Sequence, residues 1–123
     1  MRGRLLAAAL GALAATLALV PTSLGETLAQ TLLGPGLVRA EVVVQRDGVL
    51  RVYRVDRGRV IARTRAALTL REQDGTVVSV PLSAATRFEL GGRTVRFRAV
   101  RVGMTATTTR VGDGPAERVQ LRR

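Results

Sequence analysis

The sequence predicts an all-β chain, folded as one small antiparallel barrel of about six to eight short strands and preceded by an N-terminal signal helix. Three observations carry that expectation. Residues 30–123 hold 16 valines, 10 threonines and one isoleucine among 94 positions. Side chains branched at Cβ are stiff at χ1 and suit a pleated sheet better than a helix. Glycine turns recur at short intervals, at Asp47-Gly48, Asp56-Arg57-Gly58, Asp74-Gly75, Gly91-Gly92 and Gly112-Asp113-Gly114. Finally, Arg2 and Arg4 precede an apolar run from Leu5 to Val20, closed by Pro21, which is the layout of a secretory signal peptide.

That leading run holds Gly11 and Thr16 and is shorter than the roughly 20 residues a membrane-crossing helix needs. Cleavage is therefore expected after Ala29, with Gly25 as the second position and an uncleaved anchor as the alternative. Residues 30–37, with Gly34-Pro35-Gly36, read as a linker, leaving 38–123 as a single domain. The 94 residues after the cut can bury roughly 60 to 65% of their unfolded surface, enough for one core. The chain is expected to be extracytoplasmic.

Asp47-Gly48 lies between Val42-Val43-Val44 and the run from Val49 to Tyr53, so a hairpin over residues 40–56 opens the domain. Asp56-Arg57-Gly58 reads as a three-residue loop before a strand from Arg59 to Ala62. Leu68 and Leu70 alternate with Thr69 and Arg71, and after Gln73-Asp74-Gly75 Val78, Val80 and Leu82 alternate with Val77, Ser79 and Pro81, a second hairpin. Pro81 lacks an amide donor and belongs at a strand end or a sheet edge. Arg87 to Leu90 forms a short strand. Arg93 to Val102 is either a strand with Val95, Phe97 and Ala99 inward, or a strand leading into one helical turn near Phe97 to Arg101. Met104 to Val111 and Arg118 to Leu121 complete the set, at a size typical of OB or SH3 barrels. Closure of such a sheet hides its edges.

Residues 58–121 resemble a family of small secreted bacterial β-barrel domains of unknown function. The resembling pieces are Leu68-Thr69-Leu70, Asp74-Gly75, Val78-Ser79-Val80-Pro81, Thr86-Arg87, Gly91-Gly92-Arg93, Val102-Gly103-Met104 and Ala116-Glu117-Arg118-Val119. The resemblance implies a compact barrel of about six strands and an exported location. It implies no activity, cofactor or catalytic residue, and the hairpin from Glu41 to Asp56 lies outside it.

Composition removes most chemistry. The chain has no histidine and no cysteine, so the usual general base near neutral pH, the thiolate nucleophile and the commonest metal ligands are missing. Ser79 and Ser83 have no histidine or lysine to take a proton. Asp47, Asp56, Asp74 and Asp113 adjoin glycine turns and are expected to bond local amides. Glu41, Glu72, Glu89 and Glu117 sit among arginines, so no facing pair of carboxylates is expected, and with it no glycosidase. Phosphate-loop and calcium-loop spacings are absent. No catalytic residue, no metal and no cofactor is expected.

All 20 basic residues are arginine, against nine acids, for a net charge of +11. Lysine and asparagine are both absent, which fits a codon bias as well as a designed surface. Arg59, Arg63 and Arg65 lie along one predicted strand and its exit, and Arg96 and Arg98 flank Phe97 on another. If those strands are neighbours, the five form a positive stripe able to bind polyanions such as cell-wall or membrane-surface polymers, because guanidinium groups match phosphate and carboxylate. Nucleic acid is disfavoured, since single-strand binding relies on aromatic platforms and the chain holds one Tyr and two Phe. Thr105, Thr107 and Thr109 would share one face of a strand. The alternative to a polyanion module is a protein interaction module: the valine-rich hairpin would associate with a second copy or another envelope protein through its edge.

Overall fold

Asp47 and Gly48 take φ values of 52° and 77°, the pair of left-handed conformations that a two-residue hairpin turn requires. They join β1 (Arg39–Arg46) to β2 (Val49–Arg63). The strand does not stop at Asp56-Arg57-Gly58, where the sequence predicts a loop, but continues for 15 residues. Gly58 serves packing there instead of turning, because an added Cβ would lie 2.6 Å from the carbonyl oxygen of Arg71 on the neighbouring strand. The remaining strands are β3 (Ala67–Glu72), β4 (Val77–Pro81), β5 (Arg87–Leu90), β6 (Arg93–Val95), β7 (Thr105–Val111) and β8 (Ala116–Arg122). One 3-10 turn, Phe97–Ala99, follows β6. Of the two expectations for this segment, the strand ending in a helical turn is the one observed.

These elements come from a computed structural model that describes Gly34 and residues 36–123. The signal helix, both cleavage positions and most of the linker lie outside the described residues. Leu37, assigned to the linker, is buried.

The eight strands form one sheet in the order β4-β3-β2-β7-β8-β5-β6, with β1 paired to β2 beside this path. Seven pairings build it, and six are antiparallel, so the sheet is mostly antiparallel; β5 runs parallel to β8. The sheet is also not closed, since β4 and β6 remain as its two ends. Both ends are short, of five and three residues, and Pro81 terminates β4 as expected, which limits the exposed ladder without closure.

Cross-strand partners share a face, so the register tells which side chains meet. Val60, Leu70, Val80, Ala106, Val119 and Phe88 follow one another across the sheet through such pairs or their alternates, and all belong to one buried cluster. For strands this distant in order to share one cluster, the sheet must curl around that face. Val100 and Met104, from the segment between the 3-10 turn and β7, fill the same core.

The extra residue between Val60 and Ala62 is the decisive irregularity. Val60 pairs with Leu70, but Ala62 pairs with Thr69 and Arg63 with Leu68. Two residues of β2 thus advance against one of β3, a β-bulge. Before it, even-numbered residues of β2 face the core; after it, odd-numbered ones do.

Replacing Gly58 by alanine should cost about 1–3 kcal/mol of stability, because the new methyl meets backbone that is held by the sheet ladder. Urea unfolding of the two proteins measures this. An unchanged midpoint would show that β2 and β3 do not approach as closely as described.

Candidate functional site

Arg63 reaches the core side of the sheet because of the bulge, and there it meets Phe97. After β6 ends at Val95, the extended backbone of Arg96 leads into the 3-10 segment; the Ala99 amide donates to the Arg96 carbonyl and the Val100 amide to the Phe97 carbonyl, each at 2.9 Å. That turn sets the Phe97 ring against Phe88, edge to face, with centroids 5.9 Å apart. The guanidinium carbon of Arg63 lies 5.0 Å from the Phe97 centroid and that of Arg65 lies 5.8 Å from it, both within cation–π range. Arg65 is held in a tight loop in which the Thr64 hydroxyl accepts from the amides of Ala66 and Ala67.

Next to this pair is an open depression of about 540 Å³. Leu82, Phe88, Val95 and Phe97 form its apolar part, Ser83 and Thr86 its hydroxyl part, and Arg65 and Arg96 its charged part. No carboxylate is among the described residues lining it. The Thr86 hydroxyl is committed to the fold, donating to the Ala116 carbonyl at 2.6 Å and accepting from the Ser83 amide.

The expected stripe of five arginines is therefore not what forms. Arg63, Arg65 and Arg96 gather around Phe97. Arg59 precedes the bulge and lies on the opposite face, where its guanidinium donates to the Gly103 carbonyl at 3.2 Å. Arg98 is exposed on the 3-10 turn and does not line the depression, since the strand expected to carry it ends at Val95. Phe97 itself, read as a flanked core residue, is the platform that assembles the group. Leu82, Ser83 and Thr86 come from the connection between β4 and β5; Leu82, expected to continue the strand, lies just past its end at Pro81.

The carboxylates gather at the other end of β2. Arg54 holds Glu41 at 3.1 Å and also Asp113; Arg39 donates to Glu72 at 2.5 Å and to Asp74 at 2.7 Å. Asp74 also accepts from the Thr76 amide, the local turn role expected of it. Its pKa lies well below the ordinary carboxylate range, chiefly through Arg39, and that of Arg39 is raised in return by Asp74 and Glu72. Glu89 pairs with Arg118 at 3.3 Å on the sheet's other face.

One expectation fails here. Asp56 does not cap a turn, because there is no turn; it stands two residues before Gly58, the cross-strand partner of Glu72, so the two buried acids lie diagonally on one face of the sheet. The Glu72 pKa is pushed up to about 7, first by burial and then by the Asp56 carboxyl, with Arg39 acting in the opposite direction. A glycosidase needs both carboxyls open to a sugar, and the Glu72 side chain has no exposed surface.

Thr107 and Thr109 do share a face, as expected, but both are buried, and the Arg57 Nε donates to the Thr107 hydroxyl at 3.1 Å. Burial lowers the Arg57 pKa, with a smaller effect from Arg122. This row is not a flat exposed surface.

The chain matches no family model, no curated protein and no solved structure, so its own geometry carries the functional reading.

Phe97→Leu keeps an apolar side chain in place but removes the ring face. It should cost about 0.5–2 kcal/mol from the two cation–π contacts. Double-mutant cycles with Arg63→Ala and Arg65→Ala would read this as a coupling energy, and coupling indistinguishable from zero would contradict the arrangement.

Proposed function

We propose that this protein is an exported binding module that holds anionic polymers of the cell envelope at the depression beside Phe97, through Arg65 and Arg96, which line it, and Arg63, which rests on the Phe97 ring. The observation that supports this most is the separation of charge along the sheet. Glu41, Glu72, Asp74 and Asp113 engage Arg39 and Arg54 at the β1 end, and Glu89 engages Arg118. Arg63 and Arg65 instead rest on an aromatic ring, and Arg65 and Arg96 line the open cleft beside it. An aromatic face orients a guanidinium plane without neutralising it, leaving its N–H groups for phosphate or carboxylate oxygens. The openness of the depression favours a chain passing across it over an enclosed small molecule. The exported location rests on the leader sequence, and the resemblance noted over residues 58–121 agrees with it.

The full chain should bind polyphosphate and polyglutamate, the two probes for phosphate and carboxylate oxygens. Arg63→Ala/Arg65→Ala/Arg96→Ala should weaken binding by at least about tenfold in low salt, and should flatten the dependence of affinity on salt. Arg71→Ala, an exposed charge on β3, serves as the control. Equal losses for the triple and control variants would mean that net charge alone attracts the polymer.

A second reading has its own observation. Val43, Val49 and Leu50 at the tip of the β1–β2 hairpin are 60, 54 and 65% exposed, and Val43, Leu50 and Val52 share one face. Such a patch suits association with a second copy of the chain. Sedimentation equilibrium at low and high salt separates the two readings. A dimer that persists in high salt and is lost in Leu50→Asp favours association, whereas a monomer throughout removes this reading.

A further inference from the structure

The Glu72 side chain is fully covered, Arg39 donates to its Oε1, and its Oε2 has no donor. Diagonal to it on the same face of the sheet, two residues before its cross-strand partner Gly58, stands Asp56, itself buried. Two ionised carboxylates offer each other only acceptor oxygens, while a single proton on either turns one of them into a donor. Burial adds to this preference, because a buried unpaired charge is costly.

The place of the pair gives it a mechanical meaning. The strands β1 and β3 lie end to end along the same edge of β2, with Arg39 opposite Asp56 and Glu72 opposite Gly58. Arg39, the first residue of β1, bridges to Glu72, the last residue of β3, and on to Asp74 in the turn after it. We propose that Asp56 and Glu72 share one proton in the folded protein, and that this proton acts as a latch fastening the β1–β2 hairpin to β3.

The groups around the pair define what its loss would do. From β1 come Arg39 and, one row further along the same face, Glu41; from β2, Asp56 and Arg54; from the turn, Asp74. From β7 come Thr108, whose hydroxyl donates to the Asp56 carbonyl, and Arg110, which is buried with no partner for its Nε. Arg54 is engaged by Glu41 and Asp113, and Arg39 is divided between Glu72 and Asp74. Removing the proton leaves two neighbouring buried carboxylates beside Arg39, which Asp74 already shares, and the junction loosens.

The sign follows from linkage. A carboxyl whose pKa is raised by folding, here to about 7 for Glu72, contributes fully at pH below the ordinary carboxylate value. Its contribution is lost as pH rises through that folded value. Asp74 acts oppositely, but its contribution changes only below its ordinary pKa, so it does not enter the window between pH 5 and 8.

The test uses the full chain. Carbon-detected NMR of the side-chain carboxyls from pH 3 to 9 should show Glu72 titrating near pH 7, with the Asp56 resonance moving in the same step. Urea unfolding should show the folded-to-unfolded ratio falling by about tenfold or more between pH 5 and pH 8. Glu72→Gln, whose amide donates to Asp56 at every pH, should remove that fall. Both carboxyls titrating near the ordinary value of about 4 would overturn the proposal, and so would a pH dependence that Glu72→Gln leaves unchanged. If Glu72→Gln does not fold, the wild-type titration decides by itself.

Discussion

The single extra residue between Val60 and Ala62 decides what the arginines of this protein can do. A regular strand shows the same parity on the same face along its whole length, so Arg59 and Arg63 would stand together on the outside of the sheet. The bulge reverses the parity within one strand. Arg59 stays outside and bonds the Gly103 carbonyl, while Arg63 turns to the core side and settles on Phe97. A local backbone irregularity thereby converts an evenly basic strand into one with a focused positive end.

The length of β2 makes that end far from the acids. Its first half pairs with β1, its second half with β3, and its other edge with β7. At the β1 end its core face carries Arg54 and Asp56, joined across the sheet by Glu41, Arg39, Thr108 and Arg110. At the β3 end the same face is Val60 among leucines and valines. Charge is tolerated at the first end because Glu41, Glu72, Asp74 and Asp113 each have a guanidinium beside them. At the second end Arg63 and Arg65 meet the Phe97 ring, and no carboxylate is among the described residues lining the cleft beside it. One strand thus separates a self-neutralising half from a half with charge to offer.

Much of the fold is legible in the sequence where the cause is local. Asp47-Gly48, Asp74-Gly75 and Gly91-Gly92 mark turns because positive φ is a property of the residues themselves. The alternation of Leu68 and Leu70 with Val78 and Val80 marks a hairpin because one face is buried. The same grammar misleads at Asp56-Arg57-Gly58, where glycine is needed for the approach of the Arg71 carbonyl, a neighbour that sequence order does not reveal. The open sheet, the parallel pairing of β5 with β8 and the bulge are likewise settled by tertiary packing. In the candidate site the residue types were legible and their grouping was not. Arg63, Arg65 and Arg96 come together only through a parity change and a 3-10 turn, and Asp56 shares a face with Glu72 only because β2 continues past its apparent end.

The most direct measurement is a set of nuclear Overhauser contacts from the Phe97 ring. With the bulge in place, the side chains of Arg63 and Arg65 give contacts to that ring and their δ-methylene protons shift upfield under it, while Arg59 gives neither. Contacts to Arg59, or unshifted δ protons on both Arg63 and Arg65, would mean that β2 keeps one parity throughout and that the positive cleft does not exist.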